Sequence, residues 1–463
     1  MSAGVYAHFI GVGGAGMSAL ARVLHERGVA VTGSDLKESR YTTALQDMGI
    51  PVAIGHDAAN LGMPEVVVVS SAIPESNPEL VEARQREIEV WPRARMLAHL
   101  ADGRTTVAVA GTHGKTTTSS MVATMLAGMG LDPTFLIGGE VCAYGTNAAS
   151  GTGSHYVVEA DESDGSFVYL DPHVSVVTNI EADHLDHYGT LAAVEETFER
   201  FVAKTAAGGV AVVCAEDVRA TEILARTGVR TVTYGRVEGA DVRCDSLVPA
   251  GRGHRFGVSF PDGSTVQTGV TVPGDHNVLN ATAALTVAHV LDLDVTAAAD
   301  ALAGFAGVKR RFDVIGTAGG VTVVDDYAHH PTEVKATLAA ARALDYRRVW
   351  AVFQPHRYSR TEAFGEEFGR SFGDADGVVL MDVYSAGETP IPGVTGKTVV
   401  DTLLAHDGRR KVAYLPHRPE VVPYLASNVR EGDLVLTLGA GDVTALGPEI
   451  LQAIGDAGVR RCR

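Results

Sequence analysis

The run Gly111-Thr112-His113-Gly114-Lys115-Thr116-Thr117-Thr118 holds the sharpest chemistry in the sequence. The apolar stretch Val107-Ala108-Val109-Ala110 before it reads as a buried strand, and the residues after it take the apolar spacing of a helix. A strand that stops at glycine, a tight loop, Gly-Lys-Thr and a helix together grip a nucleotide triphosphate. Glycines let backbone N–H groups converge on phosphate oxygens, and the helix N-terminus adds partial positive charge. Lys115 is placed to reach the outer phosphates, and the Thr116 hydroxyl to ligate Mg²⁺. The loop is shorter than the common G-x-x-x-x-G-K-[ST], because Val109 stands where that pattern wants its first glycine. An ordinary glycine-rich turn is the plainer alternative, and the strand, loop and helix context weighs against it.

Further clusters also stand at the ends of apolar strands. Gly11-Val12-Gly13-Gly14-Ala15-Gly16 matches the dinucleotide fingerprint, with Asp35 closing the next strand where such folds place a ribose-binding acid. Alone, this says that a diphosphate-bearing nucleotide sits on a helix N-terminus, and not which one. Glu159-Ala160-Asp161-Glu162-Ser163-Asp164 crowds acids at a strand's carboxyl end, where open α/β sheets put their ligands. Hard carboxylates suit Mg²⁺, which bridges to substrate phosphates. The plainer reading of that run is a solvated acidic loop. His184, in Thr178-Asn179-Ile180-Glu181-Ala182-Asp183-His184-Leu185-Asp186-His187, is a candidate metal ligand from its place beside the other strand ends. Asp325-Asp326-Tyr327-Ala328-His329-His330-Pro331 and Gln354-Pro355-His356-Arg357-Tyr358-Ser359-Arg360 suggest carboxylate or phosphate recognition, because arginine offers a planar bidentate fork.

These clusters need sheets to bring them together. The pattern gives three α/β segments. In the first, strands at 5–10, 29–32 and 66–69 surround a helix over 17–27. A boundary near 101–104 precedes the second, with strands at 155–159 and 174–178. Residues 229–272, rich in glycine, read as an antiparallel patch before an alanine-rich helix that starts near residue 275. The third runs from about residue 308, with strands at 321–324, 349–353, 378–381, 412–415 and 434–438. Strand–helix alternation implies parallel sheets covered on both faces.

Composition bounds the rest. The chain has 463 residues, 46% hydrophobic and 20% charged, as expected of a multi-domain globular protein. Cys142, Cys214, Cys244 and Cys462 are scattered without C-x-x-C spacing, so neither a disulfide framework nor a cysteine metal site is expected. Lysines and arginines number 38 against 56 acids, and the net charge of −18 disfavours a nucleic-acid surface. No apolar run approaches a membrane span, and the N-terminus has no basic-then-apolar leader, so a cytoplasmic protein with no membrane partner is expected.

Taken in order, the motifs resemble the Mur ligases of peptidoglycan synthesis. The matching stretches are residues 8–18, 111–118, 159–167, 178–186, 274–280, 310–312, 325–331 and 353–360. The resemblance covers nearly the whole chain. It implies three α/β domains: a Rossmann-like UDP-sugar-binding domain at 1–103, a central P-loop parallel-sheet ATP-binding domain at 104–307, and a Rossmann-like amino-acid-binding domain at 308–463. The substrates implied are UDP-N-acetylmuramate, L-alanine and ATP, with Mg²⁺ as cofactor and Mn²⁺ as its substitute. A monomer or weak homodimer is expected.

The resemblance also assigns residues. Gly11, Gly13, Gly14, Ala15, Gly16, Met17, Asp35, Ser70 and Ser71 would bind the UDP-sugar. Gly111, Thr112, His113, Gly114, Lys115, Thr116 and Thr117 would bind ATP, with His276, Asn277 and Asn280 at the adenine and Arg311 and Asp326 reaching in from the third domain. Thr116 and Glu159 would hold one metal ion and His184 a second. Tyr327, His329, His330, His356, Arg357 and Arg360 would receive the amino acid. Lys115, Glu159, His184, Arg311 and Asp326 form the implied catalytic set. Sister ligases carry a carbamylated lysine after the metal-binding histidine. Here Glu195, Glu196 and Glu199 fill that stretch and the first lysine is Lys204, so no carbamate is expected. Three rivals stay open: a recycling ligase that attaches a preformed tripeptide, a nucleotide-binding regulator without chemistry, and a dehydrogenase using the first glycine turn.

Overall fold

The computed structural model describes residues 6–70, 72–162 and 166–461. Its first sheet contains β1 (Tyr6–Ile10), β2 (Ala30–Asp35), β3 (Val52–Ile54), β4 (Val66–Val69) and β5 (Glu89–Pro92), in the order β3-β2-β1-β4-β5. Every neighbouring pair is parallel. From β1 the chain builds outward through β2 and β3, then returns to the other side of β1. Ile10 pairs with both Ser34 and Val69, so the glycine turn after β1 emerges where the strand order reverses. That reversal is the usual crevice of a doubly wound sheet.

The central sheet has ten strands. They are β6 (Thr105–Ala110), β7 (Thr134–Val141), β8 (Thr146–Ala149), β9 (His155–Glu159), β10 (Val174–Val177), β11 (Val210–Cys214), β12 (Thr231–Gly235), β13 (Val242–Ala250), β14 (Gly253–Ser259) and β15 (Thr265–Val270). The order is β15-β14-β13-β12-β11-β10-β6-β9-β7-β8. β6 lies between β9 and β10, parallel to both. Val109 pairs with Glu159, and Ala110 with Val177, so the three following loops leave the sheet side by side. One expectation is corrected in part. Within 229–272, β12 runs parallel to β11 and β13. Only β13, β14 and β15 form the antiparallel patch, because connections over 251–252 and 260–264 are too short for a parallel crossover.

The third sheet contains β16 (Asp313–Ala318), β17 (Val321–Asp326), β18 (Arg348–Phe353), β19 (Gly377–Leu380), β20 (Lys411–Tyr414) and β21 (Asp433–Leu438), in the order β16-β17-β21-β18-β19-β20. All pairs are parallel except the edge pair β16–β17. Alternate residues of β18 and β21 enter two separate apolar clusters: Val349 and Leu434 lie in one, Trp350 and Val435 in the other. Both faces are therefore covered, as the near-continuous apolar runs required.

Two compact units result. One takes the chain to Leu247 with 255–269 and 279–306; the other takes 248–254, 270–278 and everything from Gly307. Within the first unit, a single apolar cluster runs from Ala7 and Phe9 of the first sheet to Val158 and Val213 of the central one. Hydrogen bonds stitch the same seam: Asn147 Nδ2 donates to Ala15 O at 3.2 Å and Ser150 N to Glu26 Oε2 at 2.7 Å. Among the described residues, no helix is long and apolar enough to cross a membrane.

Candidate active site

The loop after β6 is held by the loop after β10. Thr112 N donates to Asn179 O at 3.0 Å, and His113 N to Asn179 Oδ1 at 2.8 Å. Thr178 Oγ1 donates to His113 O at 2.6 Å, and Glu181 N to Thr112 Oγ1 at 2.8 Å. Gly111 has φ +136°, and a Cβ there would lie 1.9 Å from Thr178 Oγ1. Gly114 caps the helix Lys115–Gly128 at φ +82°, and a Cβ there would lie 2.9 Å from Asn280 Oδ1. Neither glycine tolerates a side chain. The first-turn amides of that helix have no intrahelical partner, and they start where Lys115 begins.

Lys115 folds back over the loop. Its Nζ donates to Gly111 O at 2.6 Å, Thr112 O at 3.2 Å and Glu162 Oε1 at 2.7 Å. Burial opposes its charge, but Glu162, Asp161 and Glu159 outweigh burial and hold its pKa above the ordinary lysine range. Burial pushes the Glu162 carboxyl up to about 7, despite the pull of Lys115. Beside this pair, the Thr116 hydroxyl donates to Glu159 Oε1 at 3.0 Å, while Gly138 N donates to Glu159 Oε2 at 2.6 Å. A hydroxyl and a carboxylate in contact, with further acids adjacent, form a hard-oxygen set that suits Mg²⁺. Thr117 is half-buried on the same turn.

His184 lies in the loop after β10, in the left-handed region at φ +53°, and begins the short helix Leu185–Tyr188. Its Nε2 stands 3.7 Å from Asp183 Oδ2, and its amide donates to Asp183 Oδ1 at 2.8 Å. The strand-end placement expected of it is observed. Glu162, not among the expected site residues, is the acid that touches Lys115. Asn179 was also missed, although its place straight after β10 marks it.

In the first sheet the expected cradle narrows. Gly11 N and Val12 N both donate to Ser34 O, at 2.8 and 3.0 Å, and Gly13 N donates to Asp35 Oδ2 at 2.8 Å. These amides are engaged by the end of β2, and the helix Ala15–Glu26 starts directly after them, where first-turn N–H groups have no intrahelical partner. Asp35 stands at the end of β2 as expected, and its Oδ2 also closes the glycine turn by accepting Gly13 N. Met17 packs into the core, 2% exposed, so only its backbone is available. Ser70 lies against Gly11, its Oγ 3.5 Å from where a Cβ would stand. Ser71 lies outside the described residues. Arg93, which nothing in the sequence pattern marked, brings Nη1 to 3.0 Å from the Cβ position of Gly16 and places a cation at that helix start.

The second unit gathers its own set. Asp326, buried at the end of β17, accepts from Phe312 N at 2.7 Å and Ala328 N at 2.8 Å. Burial raises its carboxyl to about 6 against the pull of Arg311 and those amides. Arg311 lies over the Tyr327 ring at 5.1 Å and 3.8 Å from Glu333 Oε1. Asn277 is buried, its Nδ2 on Pro273 O at 2.7 Å, and His276 is exposed. Asn280 belongs to the first unit, beside Gly114. His329, 5.9 Å from the His356 ring, donates its amide to Glu333. His330 caps the helix Pro331–Arg342, accepting Thr332 N at its Nδ1, and packs edge-on against Phe364 at 4.9 Å. Burial, then Arg360 and Arg357, lowers the His356 pKa to about 4, so it stays neutral near pH 7. Arg357 takes φ +73° and pairs through Nε with Glu388 at 2.8 Å, and Arg360 is buried in the helix Tyr358–Ala363.

Comparison with known proteins adds an independent line. Family models described as the Mur ligase family catalytic domain, the Mur ligase middle domain and the Mur ligase glutamate ligase domain match residues 6–105, 109–288 and 310–441. A UDP-N-acetylmuramate–L-alanine ligase from Anaeromyxobacter sp. (strain Fw109-5) is 48% identical over 444 residues, covering 96% of each chain. Among solved structures, a UDP-N-acetylmuramate-alanine ligase from Thermotoga maritima matches with TM-score 0.80 and 30% identity over 98% of this chain and 99% of that one. A murein peptide ligase from Psychrobacter arcticus matches with TM-score 0.72 and 27% identity, over 98% and 99%.

Proposed function

The chain belongs to the Mur ligase family, and we propose that it joins L-alanine to the lactyl carboxylate of UDP-N-acetylmuramate, driven by ATP, in peptidoglycan precursor synthesis. The observation that carries this reading is the Lys115 site: a lysine held above a phosphate-type loop, with a Thr116–Glu159 contact 3.0 Å across beside it. The order of steps follows from charge. A carboxylate is a poor electrophile. Transfer of the ATP γ-phosphoryl group to it gives an acyl phosphate and ADP. The alanine amine then attacks the acyl carbon, inorganic phosphate leaves with the C–O bond electrons, and the amine gives up a proton.

The chain's residues have distinct parts in this. Lys115, kept protonated by its acids, balances the charge that builds on the transferring phosphoryl group. The helix amides after Gly114 hold the remaining phosphate oxygens. Thr116 and Glu159 would hold one Mg²⁺ and His184 a second, and these ions would supply compensating positive charge at the phosphates. In the first sheet, the amides from Gly14 to Met17 and Arg93 take the UDP diphosphate. Arg357, set on Glu388, and Arg360 receive the alanine carboxylate, with His329 and His356 nearby. Proposed domain limits are 1–103, 104–307 and 308–463. A cytoplasmic location, where ATP is supplied, fits the reaction, and a monomer or weak homodimer is proposed with it.

Phosphate release with UDP-N-acetylmuramate, ATP and a panel of amino acids tests the reading. Release should require all three substrates and be fastest with L-alanine. Release that prefers the tripeptide would favour the recycling type, and stabilisation by NAD without any by UDP would favour a dehydrogenase.

A further inference from the structure

Beneath the first glycine turn lies a buried polar cluster that the reaction does not touch. Glu79, on the helix Pro78–Gln85, has no exposed surface, and neither have His8 and Ser34. Its Oε2 accepts from Ser34 Oγ at 2.6 Å and lies 3.0 Å from His8 Nε2. Its Oε1 accepts from Asn60 Nδ2 at 2.8 Å and Asp57 N at 3.2 Å, with His56 Nδ1 at 3.5 Å. His8 Nδ1 reaches on to Thr32 Oγ1 at 2.8 Å, and Thr32 to the Tyr6 hydroxyl at 2.6 Å. A buried carboxylate is costly unless every lone pair is used, and here partners come from three separate parts of the first domain: β1, β2 and the stretch 56–60. An apolar side chain would fill the space without that demand.

We infer that Glu79 is a positioning residue for the UDP-sugar diphosphate site, acting through Ser34. Ser34 is the link because it faces both ways. Its side chain is bound by Glu79, and its carbonyl accepts both Gly11 N and Val12 N. Its neighbour Asp35 accepts Gly13 N. The end of β2 thus fixes three successive amides of the turn, and Glu79 fixes the end of β2. With those amides engaged, the next ones are left to point at the ligand. A shift of β2 along β1 would turn the whole set, and misplacement well under an ångström weakens oriented contacts. The inference rests on the proposed function, since it needs the diphosphate to sit on that turn.

The experiment uses the full-length enzyme with Glu79→Gln and Ser34→Ala. KM for UDP-N-acetylmuramate, ATP and alanine, kcat, and calorimetric Kd for UDP-N-acetylmuramate are measured alongside thermal unfolding. Both variants should raise KM and Kd for the UDP-sugar about tenfold, the scale of one hydrogen bond to a charged group. KM for ATP and alanine, and kcat at saturating sugar, should stay within about twofold of the parent, since their contacts are elsewhere. Glu79→Asp should recover part of the affinity. If Glu79→Gln does not fold, Ser34→Ala, which removes only a hydroxyl, decides the matter. Unchanged sugar affinity in the folded variants, or a uniform rise in all three KM values, overturns the inference. If the parent enzyme itself releases no phosphate with these substrates, it is the proposed function that fails.

Discussion

The first sheet and the central sheet each end a buried strand in a glycine turn and a helix, yet they treat charge differently. After β1 the turn carries no charged side chain of its own; its early amides bond Ser34 and Asp35 on the neighbouring strand. After β6 the turn leans on Thr178 and Asn179 across the sheet, and it carries Lys115 among Glu159, Asp161 and Glu162. The first arrangement suits a diphosphate whose charge never changes, because fixed amides and one arginine at the rim suffice. The second suits a phosphoryl group in transit, where charge grows and must be met by a cation kept ionised. Under the proposed function, one backbone device would serve binding in one sheet and chemistry in the other.

The largest expected effect separates the two turns outright. Lys115→Ala should abolish turnover, by roughly three decades or more, while calorimetric affinity for UDP-N-acetylmuramate stays within about twofold. A mutant that loses sugar affinity as badly as activity would merge the two sites into one. Glu159→Gln and His184→Ala should each slow catalysis by about two decades, the scale of one preorganised charge, and raise the Mg²⁺ midpoint. An unmoved midpoint in both would remove them from the metal set and weaken the contrast.

A smaller effect belongs to neither turn. Arg357→Lys and Arg360→Lys should raise KM for alanine about ten- to a hundredfold and leave KM for ATP nearly unmoved. A rise for ATP instead would assign these arginines to the nucleotide.

The smallest effect is one of stability, confined to the first sheet. Burial works against the Glu79 charge, but hydrogen bonds from His8, Ser34 and Asn60 outweigh it and hold the carboxyl at about 2, below its ordinary 4.5. A depressed native pKa contributes stability that is complete above 4.5 and is lost as pH falls from there toward 2. Wild type should therefore lose stability over that interval more steeply than Glu79→Gln, as read by denaturant midpoints. Parallel acid limbs would deny Glu79 its charge.

Much of this was legible in the sequence, and for identifiable reasons. Buried parallel strands are apolar runs bounded by glycine, so β1, β4, β6, β9, β10 and the core strands of the third sheet stood out. β16 did not: it is an antiparallel edge strand, half-buried, with a register shift between Val314 and Gly316. Short edge strands such as β3 and β5 carry too few residues for a period. Lys115, Thr116 and Glu159 come together as their strand-end positions implied. Partnerships across long sequence separations were invisible. His8 and Glu79 are 71 residues apart, and nothing in either neighbourhood announces the other. Asp35 and His330 each accept a backbone amide, from Gly13 and Thr332, which their residue types alone do not announce.

The apolar seam between the first and central sheets has a consequence for exchange between relatives. Sequence motifs divide the chain near residue 104, which invites grafting residues 1–103 from one family member onto another. Yet Ala7, Leu20 and Leu24 share one cluster with Leu136, Ala148 and Tyr156, and Arg27 reaches the carbonyl of Leu100 and the hydroxyl of Ser150. A crossover there would mate two halves of a core that had drifted separately. Chimeras that keep the first and central sheets from one parent should be the ones that fold.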